Sequence, residues 1–234
     1  MRVLRQTFAN RVIHWGVALS TFGLIITGIF QMPVAKRYNV DDIPGMAFAG
    51  DYWTTLNLHY LFAIVLIVCC VWHLVYHAVR GEFDIVPRKG DVVKSAKVIW
   101  AMASGGQEPA SAKYLPEQRL AWLGFVLVLA LLIVTGLIKT YKNILGFDIP
   151  SDFYFTCAML HNLGMGLVMV LIGAHLLAFV PKINRFLLPA MFSGRVNADY
   201  VLHRHSDWKE GVLAAEKEKV KKKLIDKQLF FRRN

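Results

Sequence analysis

At 234 residues, 56% of them apolar, and with a mean hydropathy of +0.42, the chain is too apolar for an ordinary soluble domain and reads as a membrane protein. Its formal net charge is +11, from 27 Lys and Arg against 16 Asp and Glu. No nucleic-acid motif accompanies that excess, so nucleic acid is excluded as a partner, and topology accounts for the charge.

Four runs carry no Asp, Glu, Lys or Arg: 12–35, 52–79, 120–138 and 153–181. Each is long enough to cross a hydrocarbon core of about 30 Å. The first belongs to a helix predicted over 8–32. Its apolar part ends at Gln31-Met32-Pro33 without a small-residue cleavage site, so it reads as a retained helix and not a cleaved signal. Loop 33–55 is rich in turn residues, and a second helix follows over 56–79. Segment 80–118 holds a short amphipathic helix, Asp91–Ala103, closed by Gly105-Gly106 and Pro109. Helices three and four are predicted over 117–139 and 153–181. The fold class is therefore an all-α membrane protein, a four-transmembrane-helix bundle formed by residues 1–194. Residues 195–234 form a basic tail, helical over Glu210–Gln228.

Four crossings put both termini on one side. Three Lys and Arg precede the first uncharged run, seven lie in 80–119 and thirteen follow residue 181. The other side holds four: Lys36, Arg37, Lys139 and Lys142. The positive-inside rule places the termini and the 80–119 loop in the cytoplasm, in a bacterial-type inner membrane. The basic tail would lie on anionic lipid of that leaflet or against neighbouring subunits. Cys69, Cys70 and Cys157 fall in or at the ends of the membrane runs. No CxxC occurs, which leaves no zinc ribbon, iron–sulfur framework or covalent haem attachment. The thiols read as small packing residues.

His161 and His175 are fourteen residues apart inside one uncharged run. Fourteen residues come within roughly 40° of full turns, so both rings leave one helix face about 21 Å apart along the axis. Polar rings on one face of a membrane helix need a use, and two iron centres stacked across the bilayer supply one. His59 lies at the depth of His161 and can clamp one haem with it. His175 has two possible partners, His14 and His73, and the residues alone leave that choice open. His73 also follows His59 by fourteen residues, so symmetry favours it. His77 reads as an interfacial residue, and His203 and His205 as surface residues of the tail. Gly164, Gly166 and Gly173 lie beside the helix-four ligands, where a flat macrocycle needs close backbone approach. Met32, Met159 and Met165 read as packing residues. Leu24-Ile-Ile-Thr27-Gly28 also resembles Leu132-Ile-Val-Thr135-Gly136, and Leu58-His59 with His73 resembles Leu160-His161 with His175. That pattern suggests a duplicated helical hairpin.

Several pieces run in order along the chain: Arg11-x-x-His14-Trp15, Leu58-His59, Lys113-Tyr114 with Gln118, Val134-Thr-Gly136, and Leu160-His161 with His175. Gly194-Arg-Val, His203, His205 and Trp208 follow them in the tail. Together they resemble the cytochrome b (gamma) subunit of membrane-bound respiratory formate dehydrogenase. The related cytochromes of nickel–iron hydrogenase and thiosulfate reductase are similar too. The resemblance implies two haem b groups, held by His59 with His161 and by His14 with His175. It implies an iron–sulfur subunit and a catalytic dehydrogenase subunit on the outer face, a possible homo-oligomer of the complex, and menaquinone or ubiquinone reduced at the inner haem. Leu115 and Glu117 stand where that family's quinone loop has Asn and Gly. Arg11, Arg80 and Arg119 are candidate partners of the inner haem propionates, and Lys36, Arg37 and Tyr52 of the outer ones.

No nucleophile–base pair, carboxylate dyad or phosphate loop is encoded, so no primary substrate is expected to react on this chain. The function expected is electron transfer from an external dehydrogenase partner through two bis-His haems to quinone near the cytoplasmic face. Each charge moved against about 100 mV stores about 2.3 kcal/mol. The alternatives are a hydrogenase or thiosulfate/polysulfide-type cytochrome b and, from another class, a haem-free membrane anchor. A transporter ranks last, because no proline interrupts any run at its midpoint.

Overall fold

The computed structural model describes residues 1–33, 37–106 and 108–233, with side chains to residue 224. Four long helices dominate it: α1 (Phe8–Phe30), α2 (Tyr52–Arg80), α4 (Pro116–Leu145) and α5 (Ser151–Leu177). All four are long and apolar enough to cross a membrane. A shorter helix, α3 (Asp91–Ser104), lies between α2 and α4. After α5 come α6 (Leu188–Ser193), α7 (Ala198–Arg204) and α8 (Lys209–Arg233). Two three-residue strands, β1 (Arg2–Leu4) and β2 (Arg195–Asn197), pair antiparallel.

Local chemistry sets the ends. The Thr7 hydroxyl accepts from the Asn10 amide at 3.2 Å and starts α1. Asp51 accepts from the Trp53 and Thr54 amides and starts α2 at Tyr52, four residues before the predicted start at 56 and level with the start of the uncharged run. Sequence reading ended the third membrane helix at Lys139, but α4 continues to Leu145. Lys142 in the last turn suits the helix dipole, and the Lys139 stem can cover apolar surface one turn earlier. Gly146, at φ +66°, closes it. Helix α5 stops at Leu177, short of the end of its uncharged run. Asn184 and Arg185 fold back there to donate to the Ala178, Phe179 and Val180 carbonyls.

Helix α1 packs along α2, and α4 along α5, so the chain forms two antiparallel hairpins. Glycine sets both seams. A Cβ at Gly23 would sit 2.7 Å from the Phe62 ring, and one at Gly164 would sit 2.9 Å from Leu132. Gly164 therefore serves α4–α5 packing, not the macrocycle approach expected of it. Between the hairpins lies an apolar cluster of Leu66, Leu129 and Val168, joined by Val17, Leu24 and Phe125.

A second core closes the end of the bundle that carries both termini. Val3, Leu187, Val196, Tyr200, Val201 and Ala215 are buried together there. The residues just after the fourth membrane helix are thus built against the N-terminal strand. His203 is exposed as expected, but His205 is completely buried, which corrects its reading as a surface residue. Its Nδ1–H donates to the Ala112 carbonyl at 2.7 Å, and its Nε2 accepts from Arg5 at 3.0 Å.

Candidate functional site

The histidines fall into two facing pairs. At the loop end of the bundle the rings of His59 (α2) and His161 (α5) are 6.4 Å apart between centroids. At the terminal end His14 (α1) and His175 (α5) are also 6.4 Å apart. Of the two candidates for His175, His14 is the one that lies against it. His73 accepts a hydrogen bond on Nε2 from the Trp122 indole at 3.2 Å and packs on His77, with ring centroids 4.5 Å apart.

Leu66 and Val168 lie seven residues from the histidines on either side of them in α2 and α5, about 10 Å each way along the axis. Both are nearly fully buried, so the apolar cluster separates the two pairs. Phe125 and Phe179 stand edge-on to His175, and Trp15 edge-on to His14. The Trp15 indole donates to the Met191 carbonyl at 3.0 Å, and the Arg11 guanidinium donates to the Phe192 carbonyl. These bonds fix the start of α1 against α6.

The loop-end pair has a matched support on each side. Thr27 Oγ1 lies 2.9 Å from His59 Nδ1, and Thr135 Oγ1 lies 2.9 Å from His161 Nδ1. Each hydroxyl also donates back along its own helix at 2.7 Å, Thr27 to the Gly23 carbonyl and Thr135 to the Leu131 carbonyl. A threonine has one hydroxyl proton. With it committed to the carbonyl, the oxygen accepts from Nδ1–H. That fixes the histidine tautomer and leaves the Nε2 lone pair free for a metal. Gly28 and Gly136 keep the ring edges clear. A Cβ at Gly136 would reach 3.2 Å from His161 Cε1, and one at Gly28 would reach 3.6 Å from His59 Cε1.

The sequence repeat already contained these four residues, but reading it as a duplication left the hydroxyls without a role. The signal was that each Thr-Gly sits at the same depth as a histidine of the partner helix in its own hairpin.

The donor set fits a haem. Two imidazoles sharing one metal between them, at about 2.0–2.1 Å per bond and with each nitrogen about 1.1 Å from its ring centre, would have centroids about 6.2–6.4 Å apart. Both pairs meet that spacing. Among the described residues no group of three or more His, Cys, Asp or Glu could hold a metal ion. Two histidines suit a cofactor that brings its own equatorial nitrogens. A Cβ at Gly166 or Gly173 would meet nothing within 4 Å, so the α5 backbone is open beside its histidines. At the terminal-end pair His14 Nδ1 and Arg11 Nε are buried without a hydrogen-bond partner.

A family model described as prokaryotic cytochrome b561 matches residues 5–194. The chain belongs to the prokaryotic cytochrome b561 family. No curated protein matches it closely enough to stand as a relative. It is accordingly a multi-pass membrane cytochrome b, with b-type haem as its cofactor and electron transfer as its work.

The cationic residues expected near the haems divide on inspection. In this cytochrome Arg119 is spoken for: its guanidinium grips Asp91 bidentately at 2.6 and 2.7 Å in a buried pair and donates to the Tyr114 carbonyl at 2.6 Å. That pair holds the Asp91 carboxyl down to about 2. Arg80 pairs with Glu82 at 2.6 Å. Arg11, with its unpartnered Nε, is the arginine next to the terminal-end histidines. At the loop end Arg37 and Tyr52 are exposed, and Lys36 lies outside the described residues. In the expected quinone segment Leu115 is buried, Gln118 accepts from Arg5 and from the Leu115 amide, and one Glu117 carboxyl oxygen is buried without a partner.

Proposed function

We propose that this cytochrome is the dihaem subunit of a respiratory complex of the formate dehydrogenase type. It would carry electrons from an iron–sulfur and dehydrogenase partner on the outer face to a quinone near the cytoplasmic face. The observation that carries the reading is the presence of two histidine pairs, at opposite ends of one bundle, each spaced for a shared metal. Haem bound at each pair would supply one-electron redox chemistry.

His59 and His161 would hold the outer group, with Thr27 and Thr135 turning Nε2 toward the iron. His14 and His175 would hold the inner group. The apolar cluster between them keeps water and ions off the line joining the pairs. Arg11 would take an inner propionate by a charge-assisted hydrogen bond. Reducing a quinone to quinol consumes two electrons and two protons, and the half-buried Glu117, with one carboxyl oxygen unpartnered, would pass protons from the cytoplasm. Leu115 and Glu117 would give the quinone an apolar wall and a carboxyl in place of an amide and a glycine. The termini lie in the cytoplasm on the positive-inside argument, and the basic tail, with anionic lipid or a second copy of the complex, would complete that face.

The test is a reduced-minus-oxidised spectrum of the purified complex. A b-type band with two haems per chain is expected, His14→Ala removing one and His73→Ala removing neither. Loss of a haem from His73→Ala together with two haems in His14→Ala would overturn the ligand assignment, and a missing b-type band would overturn the dihaem reading. The subunit that copurifies on the outer face identifies the donor.

A further inference from the structure

Helix α3 has two unlike faces. One is turned inward: Asp91, Ser95, Val98 and Ala101 are buried, and Asp91 grips Arg119 of α4. At its far end the Arg204 side chain of α7 reaches the Met102 sulfur at 3.8 Å and pairs with Glu108 at 2.6 Å. The helix is thus strapped at both ends across the terminal end of the bundle, over about 21 Å.

The outward face is the more apolar of the two. Val92 is 70% exposed, Val93 60%, Ile99 58% and Trp100 74%. With Ala96 and Ala103 they fall within an arc of about 120° at 100° per residue, which is the width of an apolar stripe and not a scatter of surface residues. No charge enters that arc. Lys97 lies about 40° beyond one edge, Lys94 about 100° beyond it on the far side of the helix, and Lys89 precedes the helix; none of the three makes an ion pair among the described residues. The chain that leads from α2 into α3 carries Phe83 and Val86, both exposed, directly after the exposed Val79 at the end of the membrane helix. The lipid-facing surface of α2 therefore runs on in sequence toward the α3 face. A tryptophan with flanking lysines is the chemistry of the headgroup boundary.

We infer that α3 is an interfacial membrane helix: its Val92–Val93–Ala96–Ile99–Trp100 face lies in the leaflet at the terminal end, with Lys94 and Lys97 on anionic headgroups. Asp91 and Arg119 then act as the strut that holds this helix level with the entrance of α4. The inference is independent of the haem ligands and of the electron donor.

Site-directed spin labelling of the full chain tests it. Cys69, Cys70 and Cys157 are replaced by alanine, and V93C, A96C, W100C and K94C each carry one nitroxide, in vesicles of phosphatidylethanolamine and phosphatidylglycerol. Ala96 is small and exposed, so A96C reports on the face even where W100C folds poorly. Labels at 93, 96 and 100 are expected to collide several-fold more with oxygen than with a water-soluble nickel chelate, and the label at 94 to show the reverse. Nickel-dominated collisions at 93, 96 and 100 would overturn the inference by placing the face in water. Labels there that are immobilised and reached by neither quencher would overturn it by showing a protein partner, such as a second copy of the chain.

Discussion

Thr135→Val removes one hydroxyl and leaves a side chain of nearly the same shape. The bond it deletes is the acceptor for His161 Nδ1–H at 2.9 Å. The other bonds of that hydroxyl go to the Leu131 and Leu132 carbonyls of its own helix, which already accept from the backbone, so their loss matters little. A buried imidazole N–H left without an acceptor costs about 1–3 kcal/mol. Expressed as metal affinity, that is the 10–100-fold typical of losing such a support. On the dihaem proposal, the loss should appear as faster haem dissociation from the His59/His161 pair, read from b-type absorbance after addition of a haem-scavenging protein. A second readout separates positioning from general damage. An imidazole that donates to a hydroxyl is more basic and favours ferric iron, so Thr135→Val should raise the midpoint potential of that haem alone. Thr135→Ser restores the acceptor and should restore both readings. Thr140→Val is the control, because Thr140 donates only to the Gly136 carbonyl at 2.9 Å. An unchanged dissociation rate and potential in Thr135→Val would refute the reasoning, as would an equal shift at both haems.

Gly136→Ala should lower haem occupancy at the loop-end pair, because its Cβ would sit 3.2 Å from His161 Cε1; Gly28→Ala, at 3.6 Å from His59, should leave occupancy near normal, and pyridine haemochrome assays of both compare the two. His205 is held neutral, with burial and the Arg5 charge pressing its pKa down to about 4. The unfolded chain binds a proton near 6.5, so this group's stabilisation is complete above that pH and falls by up to about 3 kcal/mol as pH drops to 4. Thermal midpoints in detergent should decline over that window, and the decline should shrink in His205→Gln. Asp91→Ala leaves the Arg119 guanidinium buried and uncompensated, at a cost of about 3–5 kcal/mol. Its melting midpoint should drop, and proteolysis within 91–104 should quicken as one of the two straps on α3 is lost.

Much of the architecture was written in one-dimensional patterns. Runs free of charge fix where a chain can cross hydrocarbon, because unpaired charges are excluded there whatever packs beside them. Element ends were less legible. Lys139 looked like a boundary and is not one, since a lysine stem can lie along apolar surface while the helix runs on to Lys142 in its last turn, where a cation suits the dipole. His205 looked like a surface residue because its neighbours in sequence are charged. Its true neighbours, Arg5 and Ala112, are far away in the chain.

The fourteen-residue spacing of His161 and His175 was likewise determined by sequence alone, because helical periodicity is a local property. It put the two rings on one face and one toward each end. Which ring met which could not follow from periodicity. His73 repeats the spacing as well as any residue could, yet it is engaged by Trp122, and His14 stands opposite His175. That choice depends on how α1 and α2 are rotated about their shared seam, which close packing at Gly16 against Cys69 and at Gly23 against Phe62 decides. Contacts between residues distant in sequence set those rotations, and only the tertiary structure contains them.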